Sequence, residues 1–197
     1  MGTKSKQVQL LTKEQVSEQL LQQHLRGWKS NPKFIIENLY VFGWESDMLI
    51  KTRSGYWYEV ECKISFADFK NDFTHKWKKH ELLKTGGEHR RPNYFYYCVP
   101  WYLSGKVLPL LPDYAGLIVL TEDGKLKEVK RVYCLHRHKY TNEELKLCDK
   151  FYYAYRNWKL AMERYQSTAE IKRLKDEIAF LKAEYKAVAG CDIKDVF

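Results

Sequence analysis

The chain has no CxxC pair. Its five cysteines, Cys62, Cys98, Cys134, Cys148 and Cys191, are scattered. An odd, unpatterned set argues against a disulfide scaffold and suits a reducing compartment. No run of 18 apolar residues occurs, so no membrane-spanning helix is expected. The opening Met-Gly-Thr-Lys-Ser-Lys carries no hydrophobic signal region, and Lys4 spoils the loose myristoylation context of Gly2. A soluble, cytoplasmic protein without a membrane partner is the expectation. The patterns G-x-S-x-G, G-x-x-x-x-G-K-S/T and G-x-G-x-x-G are also missing, and Gly86-Gly87 reads as a loop rather than a phosphate cradle. That argues against ATP-driven and serine-elbow chemistry.

What is present is core material and positive charge. The 197 residues are 45% hydrophobic and 15% aromatic, fifteen of them tyrosine, which is too rich for disorder and leaves room for a core domain plus an extension. A net charge of +9, with an isoelectric point near 9.2, favours a polyanionic partner.

The stretch from Glu45 to Lys63 organises the chain. It reads as a β-hairpin: an apolar run at Met48-Leu49-Ile50, a turn at Ser54-Gly55, then Tyr56 to Val60. Alternation puts Glu59, Glu61 and Lys63 on one face of the second strand, about 7 Å apart. The hairpin returns Asp47 to the end that carries Glu61 and Lys63. Burying such charges is costly unless they pair or bind metal. A carboxylate from each strand and a nearby lysine can hold Mg²⁺ and aim a water at a phosphate; the structural alternative is a solvated face with a cross-strand Glu–Lys pair.

Around this hairpin, Thr12-Lys-Glu-Gln15 is a capping box for a helix marked by Val16, Leu20, Leu21, Leu25 and Trp28, ended by Gly27 and Ser30-Asn31-Pro32. Phe34 to Phe42 reads as a strand with Glu37, Leu39 and Val41 on one face. Ser65 is the expected N-cap of a helix reaching about Leu83. Between Lys70 and Arg91 lie seven basic residues, Lys70, Lys76, Lys78, Lys79, Lys84, Arg90 and Arg91, against three acids. Strands are expected at Asn93–Val99, Tyr114–Leu120 and Lys127–Leu135, completing a mixed α/β sandwich. Cys134, His136 and His138 would share a strand face and are zinc-ligand types, but no fourth ligand stands at fitting spacing.

Thr141-Asn-Glu-Glu144 is a second capping box, for a helix through Tyr165. Beyond it Ile171, Leu174, Ile178, Leu181, Tyr185 and Val188 follow a 3,4,3,4,3 spacing. This heptad seam is shorter than an independent coiled coil needs. It can fold back on the preceding helix as a hairpin or pair with a second subunit as a homodimer.

Ser46-Asp47 followed by Glu61-Cys62-Lys63 resembles the PD-(D/E)xK nuclease signature, with serine in place of the usual proline. Ser65-Phe-Ala-Asp68-Phe69-Lys-Asn-Asp72, then Asn93-Tyr-Phe-Tyr-Tyr-Cys-Val-Pro100, then Pro112-Asp-Tyr-Ala-Gly-Leu-Ile-Val119, resemble the MmcB-like DNA-repair nucleases and their phage-encoded relatives. The likeness runs in order from about Phe34 to Arg131. It implies an upstream acid, whose place Glu37 holds, and a basic pair before the aspartate, whose place Trp44-Glu45 holds.

The resulting expectation is an α/β, restriction-endonuclease-like core over residues 1–140, a mixed sheet flanked by helices, with a helical extension over 141–197. The resemblance implies metal-dependent hydrolysis of DNA phosphodiesters in repair, recombination or phage DNA processing. Asp47 and Glu61 would bind Mg²⁺, with Mn²⁺ as a substitute; Lys63 would orient the attacking water or stabilise the phosphorane charge, and Glu37 would be an outer ligand. Lys70, Lys76, Lys78, Lys79, Arg90 and Arg91 would contact DNA. A DNA-binding module of this fold without cleavage, or an assembly protein using its C-terminal helices, are the competing readings.

Overall fold

The computed structural model describes residues 10–28, 32–86 and 90–189, with side chains through Ala183. The opening residues, Ser30, Asn31, Gly87, Cys191 and the side chains of Tyr185 and Val188 lie outside the described residues. The N-terminal unit, residues 1–150, is a six-stranded mixed sheet flanked by helices.

Strand order in space follows strand order in sequence: β1 (Pro32–Tyr40), β2 (Glu45–Thr52), β3 (Trp57–Cys62), β4 (Tyr94–Pro100), β5 (Ala115–Leu120), β6 (Leu126–Lys130). The first three strands form an antiparallel meander, β3, β4 and β5 run parallel, and β6 turns back antiparallel. Parallel neighbours need a crossover. Helices α2 (Phe66–His75) and α3 (Trp77–Thr85) supply the one from β3 to β4, and a stretch around the short α4 (Ser104–Val107) supplies the next.

Helix α1 (Lys13–Leu25) opens with both halves of the Thr12–Gln15 capping box formed. It buries Val16 and Leu20 on one sheet face, among Met48, Ile50, Val60, Cys98 and Ile118. The opposite face carries Phe69, Leu83, Phe95, Tyr97, Leu117 and Val119, with α2 and α3 above it. Burying large apolar side chains on both faces stabilises the sheet by roughly 1.5–3 kcal/mol for each. Leu25, expected in the core, is 60% exposed.

Three local features depart from the sequence reading. First, Asn38 has φ +52°, so β1 loses its alternation there. Asn tolerates the left-handed region. Leu39 and Val41 consequently join the cluster that holds Phe34 and Ile36, and Glu37 does not share their face. Second, the basic helix is two helices, broken at Lys76. Third, β6 ends at Lys130, and Cys134, His136 and His138 lie on irregular chain rather than on one strand face.

The Thr141–Glu144 box also forms, its two side chains each bonding the other's backbone N–H. It closes only one turn. Lys146 takes φ +50° while the N–H groups of Lys146 and Leu147 bond back to the carbonyls of Glu143 and Asn142, a Schellman ending. A new helix, α5, then runs unbroken from Leu147 to Ala189. The expected helical hairpin is therefore not formed: no Gly, Pro or left-handed residue interrupts α5 between Tyr165 and Ile171. Residues 151–197 are a second unit, and the compact N-terminal unit extends to Lys150 rather than 140. Among the described residues, no helix is long and apolar enough to cross a membrane.

Candidate active site

The hairpin pairs Met48 with Val60 and Leu49 with Glu59, which sets Asp47 opposite Glu61. There the ladder gives way to a side chain. The Cys62 N–H donates to Asp47 Oδ2 at 2.8 Å, tying the aspartate of one strand to the residue between Glu61 and Lys63. The other oxygen, Oδ1, is 2.8 Å from the Lys13 ammonium, which reaches in from α1 and also feels the charge of Glu61.

Behind Asp47, on the face covered by α2 and α3, lies a buried lattice of alternating charges. Lys79 Nζ is 2.7 Å from Glu59 Oε1 and 2.9 Å from Glu61 Oε2. Lys76 pairs with Glu61 Oε1, and Lys63 lies 3.6 Å from the same oxygen. Lys63 Nζ is closest to Asp72, at 2.7 Å. Asp72 Oδ2 accepts from the Tyr97 hydroxyl at 2.7 Å and bonds His80 Nε2 at 3.0 Å; His80 Nδ1 in turn meets the Tyr114 hydroxyl at 2.9 Å. The Trp44 indole N–H sits 2.9 and 3.0 Å from the two oxygens of Glu59.

These contacts set the protonation. Burial pushes the Asp72 carboxyl up, but the His80 hydrogen bond and the Lys63 and Lys79 charges outweigh it and hold it well below the usual range. Glu61 is likewise held down, burial being overcome by Lys79 and Lys76. Glu59 goes the other way: it is fully buried and its one ammonium partner is shared, so its carboxyl is raised. Burial would lower Lys63 and Lys79, yet their carboxylate neighbours raise both, so both stay charged.

The structure thus brings Asp47, Glu61 and Lys63 to one strand end. It does not bring Glu37. That side chain stands opposite Met48 on the α1 face, away from the α2–α3 face of Glu61, and burial together with Glu18 raises its carboxyl. The register that places Met48 between Glu37 and Val60 is what keeps it from Glu61; the left-handed Asn38 separates it only from Leu39 and Val41.

The basic set divides as well. Lys70, Lys78 and Arg90 are exposed, and Lys76 is 36% exposed at its side chain while pairing with Glu61. Lys79 is only 3% exposed, so it holds the two glutamates and cannot meet DNA. Arg91 donates to the carbonyls of Leu82, Leu83 and Leu135, closing the end of α3 over Gly86. Gly86 has φ +81°, and a Cβ there would come 2.4 Å from the Arg91 guanidinium.

Asp72, His80, Tyr97 and Tyr114 have no site role in the sequence expectation. One signal was there: Phe69, Asp72, Lys76, Lys79 and Leu83 step by 3, 4, 3 and 4, so charges occupy the line of the inward apolar residues. Elsewhere, Cys134 Sγ donates to the His136 carbonyl and His138 pairs with Glu144, so these groups are turned to local bonds. Among the described residues, no cluster of three or more His, Cys, Asp or Glu forms that could hold a metal.

No protein-family model matches the chain, and no curated protein matches it in sequence. Among solved structures it is similar to the SPO1766 protein of unknown function from Silicibacter pomeroyi, at 20% identity and a TM-score of 0.50. The likeness covers 78% of this chain and 92% of that one, and it speaks to the fold alone.

Proposed function

We propose that this chain is a metal-dependent nuclease of the PD-(D/E)xK kind, on a restriction-endonuclease-like core, hydrolysing DNA phosphodiesters. The observation that carries the reading is the bond from Cys62 N–H to Asp47 Oδ2, which holds an aspartate against the Glu61-Cys62-Lys63 triplet. The donor set fits Mg²⁺ or Mn²⁺. Asp47 and Glu61 offer hard carboxylate oxygens, and one oxygen of each is matched by a lysine that reaches solvent, Lys13 or Lys76. Those ammoniums mark the place where the two carboxylates stabilise positive charge.

A cation bound there would polarise the phosphate and lower the pKa of the attacking water. Lys63, kept charged and fixed by Asp72, orients that water or stabilises the charge that builds on the phosphate oxygens. Lys70, Lys78 and Arg90 neutralise neighbouring phosphates from the exposed side of α2 and α3 and the loop that follows. DNA repair, recombination or phage DNA processing, in the cytoplasm, is the setting the sequence resemblance implies.

The test is a cleavage panel of single-strand, duplex, flap and junction DNA with Mg²⁺, Mn²⁺ or chelator. Metal-dependent cutting that is lost in Asp47→Asn supports the proposal; cutting that survives in chelator overturns it. One observation favours a second reading, a DNA-binding module that does not cut: Glu61 Oε2 is engaged by the buried Lys79. Metal-independent DNA binding without cleavage of any substrate would select it.

A further inference from the structure

Helix α5 leaves a regular apolar stripe without cover. Ile171, Leu174, Ile178 and Leu181 are 46% to 54% exposed, and none of the described residues from 151 to 183 is buried. From Ile171 to Leu181 this line keeps heptad spacing between charged flanks, with Phe180 the one other large apolar side chain, and such a line is a surface made for another helix. The occupant is given by the residues beside it.

Placed in a heptad, Ile171 and Ile178 take the a positions and Leu174 and Leu181 the d positions. Isoleucine at a with leucine at d favours two parallel strands over three or four. The flanks carry opposite charges: Glu163, Glu170 and Glu177 fall at g, Lys175 and Lys182 at e. In a parallel, in-register pair each g residue meets the e residue five positions further along the other helix. Glu170 then faces the partner's Lys175, and Glu177 faces the partner's Lys182. An antiparallel pair would set g against g and e against e, placing glutamate on glutamate and lysine on lysine.

We propose that α5 forms a parallel, in-register coiled coil with a second copy of this chain along the Ile171–Leu181 seam, so that both N-terminal units join the pair at the same end. The seam stops upstream, where Arg164 and Ser167 take the next a and d positions. From Ile171 to the last seam residue of the sequence spacing, Val188, it spans about 27 Å at the rise of an α-helix. So short a seam makes association concentration-dependent. The proposal stands on the helix alone and does not depend on the nuclease reading.

Sedimentation of the full chain should show a monomer–dimer equilibrium in the micromolar range. Ile178→Asp should weaken it at least tenfold, with the circular dichroism of the N-terminal unit unchanged because the position is exposed. Glu170→Lys/Glu177→Lys and Lys175→Glu/Lys182→Glu should each dimerise poorly alone and recover on mixing. Orientation is read by Ser167→Cys in a background with Cys134, Cys148 and Cys191 changed to serine. Mild oxidation should give a 167–167 disulfide, mapped by peptide mass, since only parallel chains bring the two copies of this position together. A monomer at all concentrations, a trimer or tetramer, a dimer indifferent to Ile178→Asp, or a dimer without the 167–167 link would overturn the proposal.

Discussion

The Lys63 ammonium lies 2.7 Å from the Asp72 carboxylate, and both side chains are buried. Each is the other's nearest charged partner. Asp72→Asn keeps the shape and removes the charge, leaving Lys63 with the more distant Glu61 and Asp68. Breaking one side of a buried pair costs about 3–5 kcal/mol, and urea unfolding at neutral pH should show a loss of that size. A loss below about 1 kcal/mol would mean that the pair is not formed.

The same pair predicts a pH signature. Asp72 has a depressed pKa in the folded chain, so its stabilisation is present above the unfolded value of about 3.9 and is lost as pH falls below it. The cost of Asp72→Asn should therefore shrink between about pH 5 and pH 2. Glu59, with its raised carboxyl, has the opposite sign: it binds its proton more tightly when folded, and its stabilisation is greatest below the unfolded value of about 4.3. Replacing it by glutamine should steepen the acid side of the variant's profile relative to Asp72→Asn. Unfolding series of both variants across that range check the two signs together.

Glu59 and Glu61 share a strand face and share Lys79, yet their roles should part. Glu61→Gln should reduce cleavage at least about 100-fold, close to 3 kcal/mol of transition-state stabilisation. Glu59→Gln should cost cleavage less than about tenfold, because its oxygens face Trp44 and Lys79, one strand step back from Asp47. Nicking assays on folded variants decide it. A dead Glu59→Gln beside an active Glu61→Gln would remove the site assignment.

Lys13 should compete with a metal for Asp47. Its ammonium holds Oδ1 from a half-exposed side chain, an arrangement worth about 1 kcal/mol or less. Lys13→Ala should then tighten Mg²⁺ binding by up to about fivefold in calorimetry, whereas Lys63→Ala should abolish cleavage and leave Mg²⁺ bound. Weaker Mg²⁺ binding in Lys13→Ala would count against Asp47 as a ligand.

The exposed and buried lysines should also behave differently. Changing Lys70, Lys78 and Arg90 to alanine should weaken DNA binding and flatten its salt dependence, by up to about 0.9 log units of slope for each phosphate no longer neutralised. Lys79→Ala should instead destabilise the fold, since it strands Glu59 and Glu61 in the interior. An unchanged salt slope in the triple variant would place DNA elsewhere.

The hairpin, its turn at Gly55, the caps at Thr12 and Ser65, and the approach of Asp47 to Glu61 and Lys63 were legible in the amino-acid order. Each depends on residues close in sequence, where alternation and capping chemistry leave few choices. The two capping boxes were equally legible, but what followed the second was not. Whether Thr141 starts a long helix or a single turn rests on Lys146 adopting a left-handed backbone, a conformation lysine has no intrinsic preference for. Asn38 made the same kind of difference in β1, turning Leu39 to the other face and away from Glu37, while the register that sets Glu37 opposite Met48, and so in line with Val60, puts it on the face away from Glu61. The inward aim of Lys79 was hidden for another reason. A lysine on a helix reads as solvated because burying its charge is costly, and only the folded chain brings Glu59 and Glu61 of β3 beneath α3 to offset that cost. Asp72, His80 and Tyr97 likewise become one network only when β4 lies beside β3 under the helices, a long-range pairing that no local pattern specifies.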